Sequence, residues 1–454
     1  MQQAVEPSAP PAMLDEIVRY ALEETRRQGA TQAEADASMA QGLGVTVRLG
    51  EVETVEYQRD RGLSVTVYVG RRKGSASTAD LGRRAVADTV GKACAIARFT
   101  AEDPYAGLVE PEALAREIPD LDLDHPWALA AEEAIDIARR CERAGLDGDQ
   151  RIANSEGASV SSQRHQGVYG NSLGFLAGFS ATHHSLSCSL IAQQAGQMQR
   201  DYWYTTARDP AELESAESVG SAAAHRAVSR LGARKLATRR APVMFAPEMA
   251  RGLIQHFIGA IRGSSQYRKA SFLLDAAGQQ VFPTFVCMSE RPHIPKALGS
   301  APFDAEGAAT CDRELVRDGI LQGYVLGSYS ARRLGLKTTG NAGGIHNLLV
   351  GVCGTGHAET SRTREGLMRQ MGTGLLVTEL MGQGVNGVTG DYSRGASGFW
   401  VEGGAIAYPV HEITVAGNLR EIYRGIVALG EDFDVRGTIR CGSVLVSEMT
   451  IAGD

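Results

Sequence analysis

The first apolar positions recur at helical spacing. Leu14, Ile17, Val18, Ala21 and Leu22 share one face, Asp15 and Glu16 lie in the first turn, and Gly29 supplies the stop. Ahead of them, residues 1–12 are rich in Pro and Ala and read as a loose tail. The period then drops to two. Val45, Val47 and Leu49, then Val65, Val67 and Val69, alternate as half-buried strands do, with glycines 50, 62, 70 and 74 as punctuation. Residues 80–99 return to helical spacing through Leu81, Ala85, Val86, Val90 and Cys94, where Cys94 reads as a small core residue. A helix, successive strands and a second helix predict an α+β fold, with an antiparallel meander rather than alternating βαβ units.

Residues 101–126 break the pattern. Pro104, Pro111, Pro119 and Pro126 interrupt an acidic stretch that reads as a linker. Residues 127–144 are again helical, and from Ala153 the chain turns to strands. Residues 211–236 read as one long Ala-rich helix whose closing basic run, Arg234-Lys235 to Arg239-Arg240, complements its dipole. Aromatics do not interleave with that run, so it does not read as a nucleic-acid surface. The expected organisation is a tail (1–12), an N-terminal α+β domain (13–100), a linker (101–126), a central α+β segment (127–240) and a β-rich, glycine-rich C-terminal domain (241–454).

Two motifs lose their usual meaning in context. Gly382-Gln383-Gly384-Val385-Asn386-Gly387 spells a dinucleotide-binding GxGxxG, but Val388 to Gly395 cannot start the helix that motif needs, so a strand–turn–strand is expected. Gly170-Asn171-Ser172-Leu173-Gly174 spells a nucleophile elbow, but an alternating strand follows where a helix is required, so a hairpin is expected. His183 and His184 are adjacent and would point to opposite faces of a strand, which prevents joint chelation. His256, His346, His357 and the pair His411-Glu412 lack ligand spacing. Asp304 and Glu306 could pair as acid and base, although turn chemistry is the commoner use of such residues.

Residues 372–404, GTGLLVTELMGQGVNGVTGDYSRGASGFWVEGG, hold ten glycines between short apolar runs. That density suits turns, bulges and close backbone approach in a tight β structure. Together with the following AIAYPVHEITVAGNL, this stretch resembles the C-terminal signature of the PmbA/TldD family, whose members have been called modulators of DNA gyrase and resemble metalloprotease subunits. The acidic turn at 302–307 and the segments at 319–326 and 328–335 extend the resemblance.

The resemblance directs attention to residues 242–257. Pro242 to Phe245 reads as a short strand, and Pro247 opens a helix at the first-turn position it favours. In catalytic relatives this helix carries HExxxH, with two histidine zinc ligands and a glutamate base. Here Pro247 and Gly252 stand at the ligand positions, and neither has a donor for zinc. Glu248 remains as a remnant of the base, and Cys441 is the counterpart of a third ligand. The resemblance therefore implies the PmbA (TldE) branch: a subunit with no cofactor of its own, paired as a heterodimer with a TldD-like chain that holds Zn, or as a homodimer when alone. The implied complex cleaves small or unfolded peptides, including peptide-antibiotic precursors and an antitoxin. Gly382, Gly384, Gly387 and Gly390 are the candidates for a peptide channel, because an extended peptide can add to a sheet edge through main-chain hydrogen bonds. Two alternatives stand beside this reading: an independent metallopeptidase using Glu248, Cys441 and unplaced histidines, and a protein that binds and modulates gyrase.

Bulk properties narrow the setting. At 454 residues, two or three domains are expected. With 43% hydrophobic and 22% charged residues, the composition is that of a globular protein. A net charge of −7 argues against a nucleic-acid or anionic-membrane surface. No apolar run approaches the length of a membrane span, and residues 1–13 lack the basic and apolar regions of a signal peptide. Seven cysteines without a CxxC pair read as reduced thiols of a cytoplasmic protein.

Overall fold

The computed structural model describes residues 11–354 and 362–453. The N-terminal half is one antiparallel sheet carrying four helices. Its strands are β1 (Gln32–Arg48), β2 (Glu51–Val69), β3 (Arg72–Thr78), β4 (Ile152–Asn171), β5 (Leu176–Gln194) and β6 (Gln197–Ala207), in the order β3-β2-β1-β4-β5-β6. The helices are α1 (Pro11–Arg27), α2 (Arg83–Phe99), α3 (Ala131–Leu146) and α4 (Ala216–Ser229). Alternation along β1 and β2 turns Ala33, Ala35, Ala37, Val65 and Val67 toward α1 and α2, while Val45 and Val47 pack with α3 and α4. The helices α3 and α4 touch at glycine: a Cβ on Gly220 would stand 1.9 Å from the Cys141 carbonyl oxygen.

The C-terminal half comprises β7 (Arg239–Phe245), α5 (Pro247–Ile261), α6 (Gly263–Tyr267), β8 (Val286–Glu290), β9 (Arg313–Arg317), β10 (Ile320–Leu321), α7 (Ser328–Leu334), β11 (Leu348–Val352), α8 (Arg364–Met371), β12 (Gly374–Met381), β13 (Asp391–Glu402), β14 (Ala405–Asn418), α9 (Leu419–Arg424), β15 (Ile426–Leu429), β16 (Ile439–Arg440) and β17 (Val444–Ala452). One sheet runs β10-β9-β8-β11-β16. The other runs β14-β13-β12-β7-β17-β15, and β14 also pairs with β17, so its strands close on themselves. The expected α+β class is the observed one. Helix α5 packs Leu253, Ile254, Phe257, Ile258 and Ile261 into the core of this half, all at most 1% exposed.

Several expectations need correction. Helix α1 starts at Pro11, inside the expected tail, and Leu49 sits in a turn at φ 51° rather than on a strand face. Gly62 and Gly74 lie within strands. A Cβ on Gly74 would meet the Ala93 carbonyl at 2.2 Å, so glycine there lets β3 lie on α2. The Ala-rich stretch 211–236 yields a helix only over Ala216–Ser229. The chain then turns through Gly232 at φ 74°, and the Arg234 backbone pairs beside β14. The basic run therefore caps no helix: Arg234 and Arg239 lie over Tyr408 and Trp400, while Lys235 and Arg240 pair with Glu412 and Glu448. Residues 418–429 do not run on as one helix, because α9 ends at Gly425 and β17 captures Ile426–Leu429 as β15. The 101–126 stretch is irregular but docked. Arg332 donates to the carbonyls of Tyr105, Gly107 and Leu108, and Ala115 N–H donates to Gly307.

Not all cysteines are free thiols. Cys287 on β8 and Cys353, just past β11, form a disulfide because the two strands are hydrogen-bonded neighbours. Cys94, Cys141, Cys188 and Cys441 are buried free thiols, and Cys311 is exposed.

Candidate functional site

The first turn of α5 meets the central segment at a cluster of arginines and carboxylates. Pro247 occupies the first helical position, and the N–H of Ala246 donates to Val377 on β12. The inner face of the helix is apolar, so Glu248 and Arg251 project toward β6 and α4. Glu248 Oε1 lies 3.5 Å from Arg226 and 3.6 Å from Arg436. Arg226 pairs with Asp201 at 3.2 Å, and Arg230 pairs with Asp201 at 3.4 Å and with Glu379 of β12. Arg251 reaches Asp434 at 3.3 Å and donates to the Tyr204 hydroxyl at 3.0 Å.

Arg436 is the hub of this cluster. Its guanidinium stacks over Trp203 at 4.2 Å and Tyr204 at 4.4 Å, and it donates to Asp434 at 2.9 Å and to the Tyr204 carbonyl at 2.8 Å. Burial works to raise the Asp434 carboxyl. The Arg436 hydrogen bonds and the charge of Arg251 outweigh it and hold Asp434 below the ordinary carboxylate range.

Cys441, which the resemblance makes the counterpart of a third ligand, lies against the start of α5. Its sulfur approaches the Pro247 carbonyl oxygen at 3.9 Å, and the side chain is 1% exposed. Burial, reinforced by the charge of Asp434, pushes this thiol up to about 12. Glu248, Pro247, Gly252 and Cys441 are thus brought to one helix turn and its neighbour. The surrounding arginines were missed. Arg226, Arg230 and Arg436 come from distant segments, and only the motif-bearing helix made its own part visible.

The glycine-rich loop leaves β12 three residues beyond Glu379. Gly382 and Gly390 adopt φ 77° and 86°. A Cβ on Gly384 would stand 2.0 Å from the Ser393 carbonyl oxygen, whereas Gly387 faces open space. Strand β13 follows, so the GxGxxG letters open no helix. The other motif is the β4–β5 hairpin turn, where the Ser172 hydroxyl accepts the Ala33 N–H.

The histidines do not converge. His183 is exposed and His184 buried, with His184 held between Ser162 and the His125 carbonyl. His346 lies 3.2 Å from Glu290 in a buried network with Arg313 and Asn341. His411 and Glu412 sit at an irregularity in β14. His256 packs edge-on to Tyr392, and burial lowers its pKa. His357 lies outside the described residues. Asp304 serves turn chemistry, with its oxygens accepting the N–H groups of Glu306, Ala308 and Ala342. Asp304 and Glu306 also line a cavity of about 570 Å³ with Glu34, Asp36, Tyr169 and Phe179, between the N-terminal sheet and the C-terminal half.

Three family models match the chain: PmbA/TldA metallopeptidase domain 1 over residues 33–97, the central domain over 124–231, and the C-terminal domain over 238–453. The chain belongs to the PmbA/TldD family. It is 51% identical to Metalloprotease PmbA of Escherichia coli O157:H7, over 97% of this chain and 96% of that one. It is 23% identical to a Metalloprotease TldD homolog of Haemophilus influenzae, over 83% and 80%. A Bacteroides thetaiotaomicron crystal structure, named for modulation of DNA gyrase, superposes with a TM-score of 0.90 at 26% identity, covering 97% of this chain and 98% of that one. TldE from Thermococcus kodakarensis shares the fold, with a TM-score of 0.80 at 16% identity, over 97% and 100%.

The zinc implied by the HExxxH relatives does not fit the residues present here. Pro247 and Gly252 offer no donor, Glu248 faces two guanidinium groups, and the Cys441 thiol is held protonated. The half-buried guanidinium cluster also opposes a divalent cation by like charge. Among the described residues, one other group has ligand-like spacing, Cys287, Asp318 and Cys353, and its two sulfurs are bonded to each other. Among the described residues no helix is long and apolar enough to cross a membrane.

Proposed function

We propose that this chain is the zinc-less subunit of a cytoplasmic two-chain metalloprotease. Its partner is a TldD-like chain that carries the Zn, and the complex cleaves small or unfolded peptides. The observation that carries this reading is the first turn of α5. Proline and glycine stand at the two ligand positions, and the remaining glutamate and cysteine are committed to arginines and to burial. The Arg436 hub ties that turn to β6, so this subunit's contribution is a fixed wall rather than a reacting group. The glycine loop of Gly382, Gly384, Gly387 and Gly390, which leaves the sheet beside Glu379, is suited to lie along an extended peptide.

Zinc analysis of the chain purified alone without chelators tests this reading. The expected content is well below one zinc per chain, with cleavage of an unfolded peptide appearing only after a TldD-like chain is added. Stoichiometric zinc that is lost on Cys441→Ala would instead establish an independent metallopeptidase. The gyrase reading predicts a different outcome, co-purification of gyrase in place of a TldD-like chain.

A further inference from the structure

The five-stranded sheet of the C-terminal half gathers a second set of metal-ligating side chains, none of which belongs to the cluster at α5. Cys287 lies on β8 opposite Gly351 of β11, so Cys353, two residues further on, stands on the same face. The Cys353 N–H donates to the Phe285 carbonyl at 2.8 Å, which holds the chain beside β8 past the end of β11. Asp318 comes from the turn between β9 and β10. Its neighbour Gly319 fixes that turn against the start of β8: the Gly319 N–H donates to the Val286 carbonyl at 3.0 Å, and the Gly319 carbonyl accepts from Val281 and Phe282. A Cβ on Gly319 would stand 2.2 Å from the Phe282 carbonyl oxygen, so glycine is what lets the turn lie so close. One ligand atom from each of Cys287, Cys353 and Asp318 thus falls within 4.8 Å of the other two.

This set suits a metal ion in reach, access and charge. Zinc holds thiolates at about 2.3 Å and a carboxylate oxygen at about 2.0–2.2 Å, which in a tetrahedron sets the ligand atoms roughly 3.6–3.8 Å apart, within the span found here. Both sulfurs are half-buried and Asp318 is exposed, so an ion can enter from solvent. Among the described residues the Asp318 carboxylate has neither an ion pair nor a hydrogen bond. The sulfurs are joined as a disulfide, so the set is closed to metal until that bond opens. An accessible disulfide is the kind that a reducing compartment opens.

We propose that Cys287, Cys353 and Asp318 form a redox-gated zinc site. A dithiol opens it. One thiolate of the dithiol attacks a sulfur of the Cys287–Cys353 bond, and its second displaces the resulting mixed disulfide. The dithiol leaves oxidised to a disulfide, and its two electrons and two protons remain on the protein as two thiols. Zinc then replaces both thiol protons, which pass to solvent, and Asp318 supplies the third ligand. Soft sulfur donors select zinc over magnesium or calcium. Three protein ligands leave the fourth tetrahedral position to water. The chain oxidised in air keeps this site closed, so the low zinc content expected of the chain purified alone stands. The inference does not rest on the zinc-less reading of α5.

The test is zinc uptake by the full chain, read by equilibrium dialysis and elemental analysis before and after reduction with a phosphine that is removed by desalting under nitrogen. Circular dichroism confirms folding of each variant. The reduced chain is expected to take up one more zinc than the oxidised chain and to release it on re-oxidation. Cys287→Ser and Cys353→Ser should each abolish that uptake, whereas Cys311→Ser, at an exposed free thiol, should leave it unchanged. Asp318 sits at φ 50°, a conformation asparagine tolerates, so Asp318→Asn keeps the turn. It should weaken uptake at least about tenfold, the least that even an outer partner of a metal site costs. Zinc bound at α5 would instead be lost on Cys441→Ala and would ignore the redox state, which separates the two readings. A reduced chain that takes up no more zinc than the oxidised one overturns the inference. So does uptake that survives either serine variant at 287 or 353, or uptake indifferent to Asp318→Asn.

Discussion

Replacing Arg436 with methionine keeps most of the side-chain volume and removes the charge. Asp434, 2% exposed at its side chain, then loses its 2.9 Å partner, and Trp203 and Tyr204 lose the cation stacked over them. Removing one partner of a buried ion pair costs about 3–5 kcal/mol, because the remaining charge stays buried. Arg251 remains 3.3 Å from Asp434 and offsets part of this, which places the expected loss near 3 kcal/mol. Urea unfolding followed by tryptophan fluorescence measures it, since Trp203 lies under the guanidinium. Asp434→Asn alone should also destabilise. The double variant should lose less than the two single losses added, because the uncompensated carboxylate is gone. Asp434 is held below its ordinary pKa, so its stabilisation is present above the unfolded-state value and fades as pH falls through the folded one. In Arg436→Met that acid-side loss should shrink. A loss under about 1 kcal/mol, as for a surface pair, would refute the reasoning. So would losses that add within about 0.5 kcal/mol.

The remaining predictions concern other parts of the molecule. Burial, against three backbone N–H donors, pushes Asp304 up to about 6, so the folded chain holds a proton that the unfolded chain has lost between the two values. Stability should therefore fall as pH rises from about 4 toward about 6, and Asp304→Asn should flatten that slope while costing about 1–3 kcal/mol for the N–H of Ala342 left facing an amide NH₂; denaturation midpoints across pH read both. Gly384→Val should disorder its loop, because the new Cβ meets the Ser393 carbonyl, whereas Gly387→Val should fold normally. Gly387→Val is thus the clean probe of a peptide channel, and unchanged cleavage by the two-chain complex would remove that loop from the channel. Thiol titration should find Cys311 reactive in the native chain and five thiols after unfolding without reductant; seven would rule out the Cys287–Cys353 bond.

Local pattern determined the parts of this protein that local physics controls. The helical spacing from Leu14, the alternation at Val45, Val65 and 176–190, and Pro247 opening α5 each appear in the fold, because one buried face imposes one period. Asp318-Gly319, with both residues at positive φ, makes the hairpin its letters announce. The absence of zinc donors at 247 and 252 is likewise a property of residue identity alone.

Tertiary structure decided everything that depends on which segments meet. The Ala-rich 211–236 stretch and residues 418–429 carry helical composition, yet strand partners capture their ends, since pairing with a formed sheet outweighs weak intrinsic propensity. Cys287 and Cys353, 66 residues apart, meet only because β8 and β11 are neighbours. The arginines around Glu248 come from α4, from α5 and from the loop before β16, and no spacing in the chain links them. Residue identity alone puts proline and glycine at 247 and 252, the positions that the family resemblance makes ligand positions. Only the fold placed a guanidinium cluster beside the first turn of α5, because charges far apart in the chain acquire a mutual energy only once folding removes the water between them.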